Sequence, residues 1–138
     1  MPLFHFSAKR PSGLGVFNGR LAPCPATRNC VCSDVTDKGH RIEPLVLAVS
    51  ADRAWSVIHS VLGQLPGVRV ITESDNYLHA ECESAVFGFI DDLELHLRSA
   101  KGVIAVRSAS RLGHFDLGAN RRRVEQLRAM LAGLGAVR

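Results

Sequence analysis

Long apolar runs are missing from this sequence of 138 residues, and none approaches the roughly 18 needed to cross a bilayer. Met1 to Phe17 lacks a basic stretch followed by an apolar one, so no secretory signal is read there and a cytoplasmic, membrane-free protein is expected. Aromatic residues are scarce at 6%, with one tryptophan and one tyrosine, which leaves little to stack on nucleic-acid bases. Four cysteines are too few for a disulfide scaffold. There is no phosphate-binding loop, dinucleotide glycine fingerprint, Gly-x-Ser-x-Gly elbow or His-Glu-x-x-His motif. Repeats and low-complexity segments are also lacking. No nucleic-acid partner, cofactor or resident metal is expected on these grounds.

The remaining sequence is ordinary globular material, 46% hydrophobic and 22% charged, with a net charge of +4. The basic residues are dispersed, so the charge is compatible with an anionic ligand without requiring one. One domain is the natural expectation at this length, with a core large enough to need no staples.

Residues 1–39 carry Pro2, Pro11, Pro23 and Pro25 among Gly13, Gly15 and Gly19, which argues against a helix or a long strand. Leu3, Phe4, Phe6, Leu14, Val16, Phe17 and Leu21 make the segment too apolar for a free tail. An irregular arm packed on the domain of residues 40–138 is expected. A first strand is read over Arg41–Val49, with Pro44 pointing to an edge. Ser50 is a helix cap, and Ala54, Trp55, Ile58, Val61, Leu62 and Leu65 recur at helical spacing before Pro66-Gly67.

Four strands follow: Val68–Glu73, Tyr77–Glu83, Phe87–Arg98 and Val103–Arg111. Each alternates, with Leu78, Ala80, Cys82, Leu93, Leu95 and Leu97 on one face. His79, Glu81, Glu83, Asp92, Glu94, His96 and Arg98 lie on the other, which is expected to meet water or a ligand. A last helix spans about Gly118–Leu134, capped by Asp116 or Asn120. The fold class is therefore α+β: a curved antiparallel sheet with two helices on one face, in the order β-α-β-β-β-β-α.

Four stretches carry a family resemblance. They are Leu21-Ala22-Pro23-Cys24-Pro25 with Asn29-Cys30-Val31, then Tyr77 to Glu81, then Gly88 to Glu94, and finally the long run from Val106 to Glu125. Together, over about Leu14 to Leu131, they resemble the family known as domain of unknown function 1499. The resemblance implies no particular activity, and some relatives carry membrane or export segments. Relatives usually read Pro-Asn-Cys-Val-Ser-Ser where this chain has Arg28-Asn29-Cys30-Val31-Cys32-Ser33, so Cys32 is an addition to the usual pair of Cys24 and Cys30.

Three groups of residues could carry chemistry. Cys24 and Cys30 sit close enough in a proline-rich loop to bridge, or to act as a reactive thiol with its resolving partner, His40 serving as base. Cys24, Cys30, Cys32 and His40 also have the residue types of a zinc site, though not the usual knuckle spacing. Asp91 and Asp92 are adjacent in a strand and point to opposite faces. Asp91 shares the parity of Leu93 and Leu95, so it is a buried carboxylate that needs a partner, and a catalytic candidate beside Cys30 and His40. The third group is Arg107, Ser108, Ser110, Arg111, Asp116, Asn120, Arg121 and Arg123. Three arginines in the first turns of a helix oppose its dipole. Either they pair with Asp91, Asp92, Glu94 and Asp116, or they hold an anion at the helix start. On either alternative Arg107, Arg111, Arg121 and Arg123 are expected to converge where the fourth strand meets the last helix. Three functional readings follow. One is a binding module for an anionic small molecule or acidic partner segment, another is a cysteine-dependent enzyme or redox protein, and the last is a structural factor.

Overall fold

The computed structural model of the protein describes residues 9–84 and 88–138. The expectations for Leu3, Phe4, Phe6 and the strand start at Phe87 lie outside those residues. The elements in chain order are β1 (Val16–Phe17), β2 (Arg20–Leu21), β3 (Cys30–Cys32), β4 (Leu45–Val46), α1 (Ala51–Gln64), β5 (Val68–Glu73), β6 (Tyr77–Glu83), β7 (Ile90–Arg98), β8 (Val103–Ser110) and α2 (Ala119–Gly133). A single 3₁₀ turn, Ser99–Lys101, joins β7 to β8. The α+β class and both helices stand as read from the sequence.

The central sheet is antiparallel, in the order β3-β8-β7-β6-β5. The outer edge of β8 is covered in two pieces: β3 pairs with its second half and β4 with its first. Two differences from the sequence reading arise here. The expected strand 41–49 shrinks to Leu45–Val46, because its residues are shared among three partners. Arg41 bridges to Cys32, the centre pairs with β8, and Leu47 bridges to Val137. Conversely, residues 1–39 are not wholly irregular, since β1 and β2 form a hairpin and Cys30–Cys32 is an edge strand of the main sheet.

Both helices lie on one face, as the alternation requires. Ala54, Trp55, Ile58, Val61 and Leu62 of α1 and Val124, Leu127 and Leu131 of α2 pack on Leu78, Ala80, Cys82, Leu93, Leu95, Leu97, Ile104 and Val106. Ser50 caps α1 by accepting the Arg53 amide at 3.3 Å. Gly67 ends the connection to β5 at a φ of +75°, and a Cβ there would meet the Glu83 carbonyl at 2.6 Å, so only glycine fits without a shift.

The opposite face departs from expectation. It does not meet water: His79, Glu81, Asp92, Glu94 and Arg107 are all buried. Residues 10–35 lie across it, with Leu21, Cys32 and Ala105 forming a small apolar patch joined by Val16, Cys24, Val35 and Tyr77. Asp34 fastens this cover, accepting both Nη atoms of Arg98 at 2.8 and 2.6 Å and the Leu21 amide at 2.9 Å. The molecule thus has three layers: helices, sheet and arm.

Candidate binding site

Charges buried between sheet and arm are tolerable only if paired, and here they are ion-paired, although Glu94 Oε1 and Arg107 Nε lack a hydrogen bond among the described residues. Arg111 spans Asp92, through Nε and Nη2 at 2.8 Å each, and Glu81, at 2.5 Å. Glu81 also accepts from Arg69 and Arg10, each at 2.8 Å. His79 Nε2 lies 2.7 Å from Asp92. Glu94 accepts from the Tyr77 hydroxyl at 2.6 Å and from the Gly15 amide at 2.8 Å, with Arg107 at 3.5 Å. Burial pushes the Glu81 carboxyl up, but hydrogen bonds from Arg69, Arg111 and Arg10 outweigh it and bring the group down to about 2. Asp92 is held low in the same way, against its burial, by Arg111 and His79. Burial and then Glu94 push the Tyr77 phenol up, so it stays a donor.

His79, Glu81 and Asp92 bring three metal-type ligand atoms within 4.8 Å of one another. The Arg111 guanidinium already bridges the two carboxylates, so the cluster has its cation. In this layer Arg111 is paired with Asp92 and Glu81, and Arg107 lies 3.5 Å from Glu94.

The helix side of the same sheet end is different. Asp91 faces Arg123 Nη1 at 2.8 Å, and that nitrogen also reaches Asn120 Oδ1 at 2.9 Å and Ser108 at 3.2 Å. Among the described residues nothing hydrogen-bonds to Arg123 Nε or Nη2. Asn120, fully buried, organises the junction. Its Oδ1 accepts from Ser108 at 2.7 Å, while its Nδ2 reaches Asp116, Ser110 and the Asn29 carbonyl at 2.8, 2.9 and 3.2 Å. Asp116 caps α2 by accepting the Gly118 and Asn120 amides at 2.8 and 3.1 Å. Burial pushes its carboxyl up, but the Asn120 hydrogen bonds prevail and hold it low.

Above this floor opens a cavity of about 380 Å³ lined by Asp91, Ser110, Arg111, Asp116 and Arg123 with Phe89, Ile90, Leu112, Phe115 and Leu117. Phe89, Leu112, Phe115 and Leu117 are exposed around it. The apolar rim has no charge pattern that marks it in the sequence. Its only signal was three large apolar residues set in the glycine-bearing turn 112–118, outside any periodic pattern.

The four arginines therefore do not converge. Arg107 and Arg111 point to the arm side of β8. Arg123 points to the helix side, and Arg121 turns outward to the Arg41 carbonyl at 3.0 Å. The split follows from parity, because odd-numbered residues of β8 face the arm while α2 lies on the other side. Ser108, Ser110, Asp116, Asn120, Arg123 and Asp91 do come together.

Cys24 and Cys30 are bridged, with Cα atoms 5.7 Å apart, while Cys32 and Cys82 are buried free thiols. The bridge leaves no thiolates at positions 24 and 30 for a Cys₃His zinc set. Cys30 and His40 line one cleft with Arg28 and Arg121. His40 does not address the sulfur, however, since Nε2 donates to the Thr27 carbonyl at 2.8 Å and Nδ1 lies 2.5 Å from Asp37. These two bonds raise the imidazole pKa and occupy both nitrogens. Such a bridge persists in oxidising surroundings and is reduced in a cytosol, so it pulls against the cytoplasmic expectation. Among the described residues no helix is long and apolar enough to cross a membrane.

No curated protein and no solved structure matches this chain. The family model described as "Protein of unknown function (DUF1499)" matches residues 20–131, a span that holds the whole central sheet, both buried networks except Arg10 and Gly15, and all but the end of α2, and the chain belongs to that family.

Proposed function

We propose that the protein is a binding module for a small amphipathic anion, with an apolar body in the cavity under Phe89, Leu112, Phe115 and Leu117 and a carboxylate or phosphate on Arg123. The observation that carries this reading is the Arg123 guanidinium. It lines an apolar cavity, spends a single nitrogen on Asp91, Ser108 and Asn120, and keeps Nε and Nη2 unbonded among the described residues. That pair of donors is the fork that recognises a carboxylate or phosphate bidentately. The cavity volume falls in the range of small-molecule sites, and a mostly apolar lining with few polar groups is their usual composition. Of the sequence candidates, Ser110, Arg111, Asp116 and Arg123 line the cavity. Ser108 and Asn120 lie in the Arg123 hydrogen-bond network beneath it, whereas Arg107 faces the arm and Arg121 turns outward to the Arg41 carbonyl.

Calorimetric titration with medium-chain carboxylates, alkyl phosphates and the alcohol of matching length tests the proposal. Wild type should prefer the anions. Arg123→Lys keeps a cation for Asp91 but loses the fork, so anion affinity should fall about tenfold to a hundredfold, the worth of charge-assisted hydrogen bonds, with alcohol binding unchanged. Equal binding of anion and alcohol by wild type would refute the anionic head, and no binding of either would refute the site.

A further inference from the structure

We infer that the loop Leu112–Leu117 is a surface-docking element for anionic phospholipid bilayers. Three large apolar side chains stand out of this short loop: Leu112, 46% exposed, Phe115, 71%, and Leu117, 89%. Leu117 is held at a φ of +53°, where a leucine is disfavoured, and Gly118 follows at +80°. The chain turns so sharply there that the leucine projects outward rather than folding onto α2.

The charge beside these side chains that is left without an ion-pair partner is positive. Arg122 Nη1 donates to the Leu117 carbonyl at 2.6 Å, which sets its guanidinium beside the loop tip. Arg28 runs alongside Phe115, its amide donating to the His114 carbonyl at 2.7 Å. Arg121 lines the cleft shared with Arg28 and Gly118. Among the described residues none of these three arginines is paired with a carboxylate. The one acid in the loop, Asp116, is turned inward and spent on the amides of α2. Apolar tips ringed by unpaired cations match the acyl boundary and the headgroups of an anionic leaflet respectively. The lack of a spanning helix concerns crossing a membrane and leaves attachment to its surface untouched.

The proposal does not depend on the cavity holding an anion, since docking uses Arg28, Arg121 and Arg122 rather than Arg123. Cosedimentation with phosphatidylcholine vesicles, with and without phosphatidylglycerol, tests it. Each basic residue at such a surface is worth a partition factor of roughly five, so three should favour the anionic vesicles by roughly a hundredfold, and raised salt should remove that preference. The pair Phe115→Ser and Leu117→Asn replaces exposed side chains only, and asparagine suits the left-handed backbone. It should cut binding at least tenfold with an unchanged circular dichroism spectrum. On the unaltered chain, paramagnetic lipid in the vesicles should broaden the amide signals of residues 112–117 ahead of all others. No partition into anionic vesicles, as an acidic protein partner for this loop would give, overturns the inference. So does equal partition into neutral ones, or broadening centred elsewhere.

Discussion

Glu81 is the residue on which the arm-side layer turns. Three arginines from three parts of the chain, Arg10, Arg69 and Arg111, end on its two oxygens. A carboxyl whose folded pKa lies below its unfolded value contributes stability that is complete above the unfolded value and is lost as pH falls through the folded one. For Glu81 that window runs from 4.5 down to about 2, and Asp92 and Asp34, both held low by arginines, add to it. His40 has the opposite sign. Its pKa is raised by Thr27 and Asp37, so its contribution is full below 6.5 and disappears as pH climbs through the folded value. Urea unfolding across a pH series should therefore show a steep loss of midpoint between pH 4.5 and 2 and a slight one as pH rises above 6.5. An acid limb that is flat down to pH 2 would mean the Glu81 network does not survive in solution.

At the scale of elements, the bridged loop 24–30 is the clamp on the strand-helix junction. Asn29 Nδ2 donates to the carbonyls of Leu112 and Gly113 at 3.3 and 2.8 Å, and the Asn29 carbonyl accepts the Ser110 amide at 2.9 Å. The Cys24–Cys30 bridge closes the ring that holds Asn29 in place. A ring of this size contributes about 2 kcal/mol by chain entropy. Cys24→Ser with Cys30→Ser should lower unfolding stability by about that much, and amide exchange should quicken first at Arg28 and Ser110, whose amides cross between the loop and the junction. Exchange that quickens evenly along β8 would instead assign the bridge a global role. The sequence pointed to a contact between the two cysteines from their spacing. It could not show that the loop they close grips the wall of the cavity, because that contact spans more than 80 residues.

For the whole molecule, the arm matters as a layer. It buries a charged sheet face that the alternation of β6 and β7 marked as solvent-facing. Leu21 is buried in it, and the Gly15 amide supplies one of the donors on Glu94. Deleting residues 1–21 should cost at least the burial of one leucine, about 2 kcal/mol, and should lower the melting temperature measurably. A truncated chain that melts with the full one would show that the sheet stands without this cover.

Local sequence determined most of the secondary structure, because period-two and period-3.6 patterns are properties of neighbouring residues. The bounds of α1, β5 and β6 follow from Ser50, Pro66-Gly67 and the alternation alone, and the same parity places Asp91 on the helix side beside Leu93. Tertiary structure decided whatever depends on which surface a face meets. His79, Glu81, Asp92 and Glu94 read as a wet or ligand-facing row until residues 10–35 cover them, and arginines close in sequence part to opposite sides because a strand and a helix present them differently. The cavity has the same origin: its floor is Asp91 and Arg123, 32 positions apart in sequence, and its rim is a loop whose apolar residues obey no period. Without a period, only the packing of β7, β8 and α2 brings those residues together.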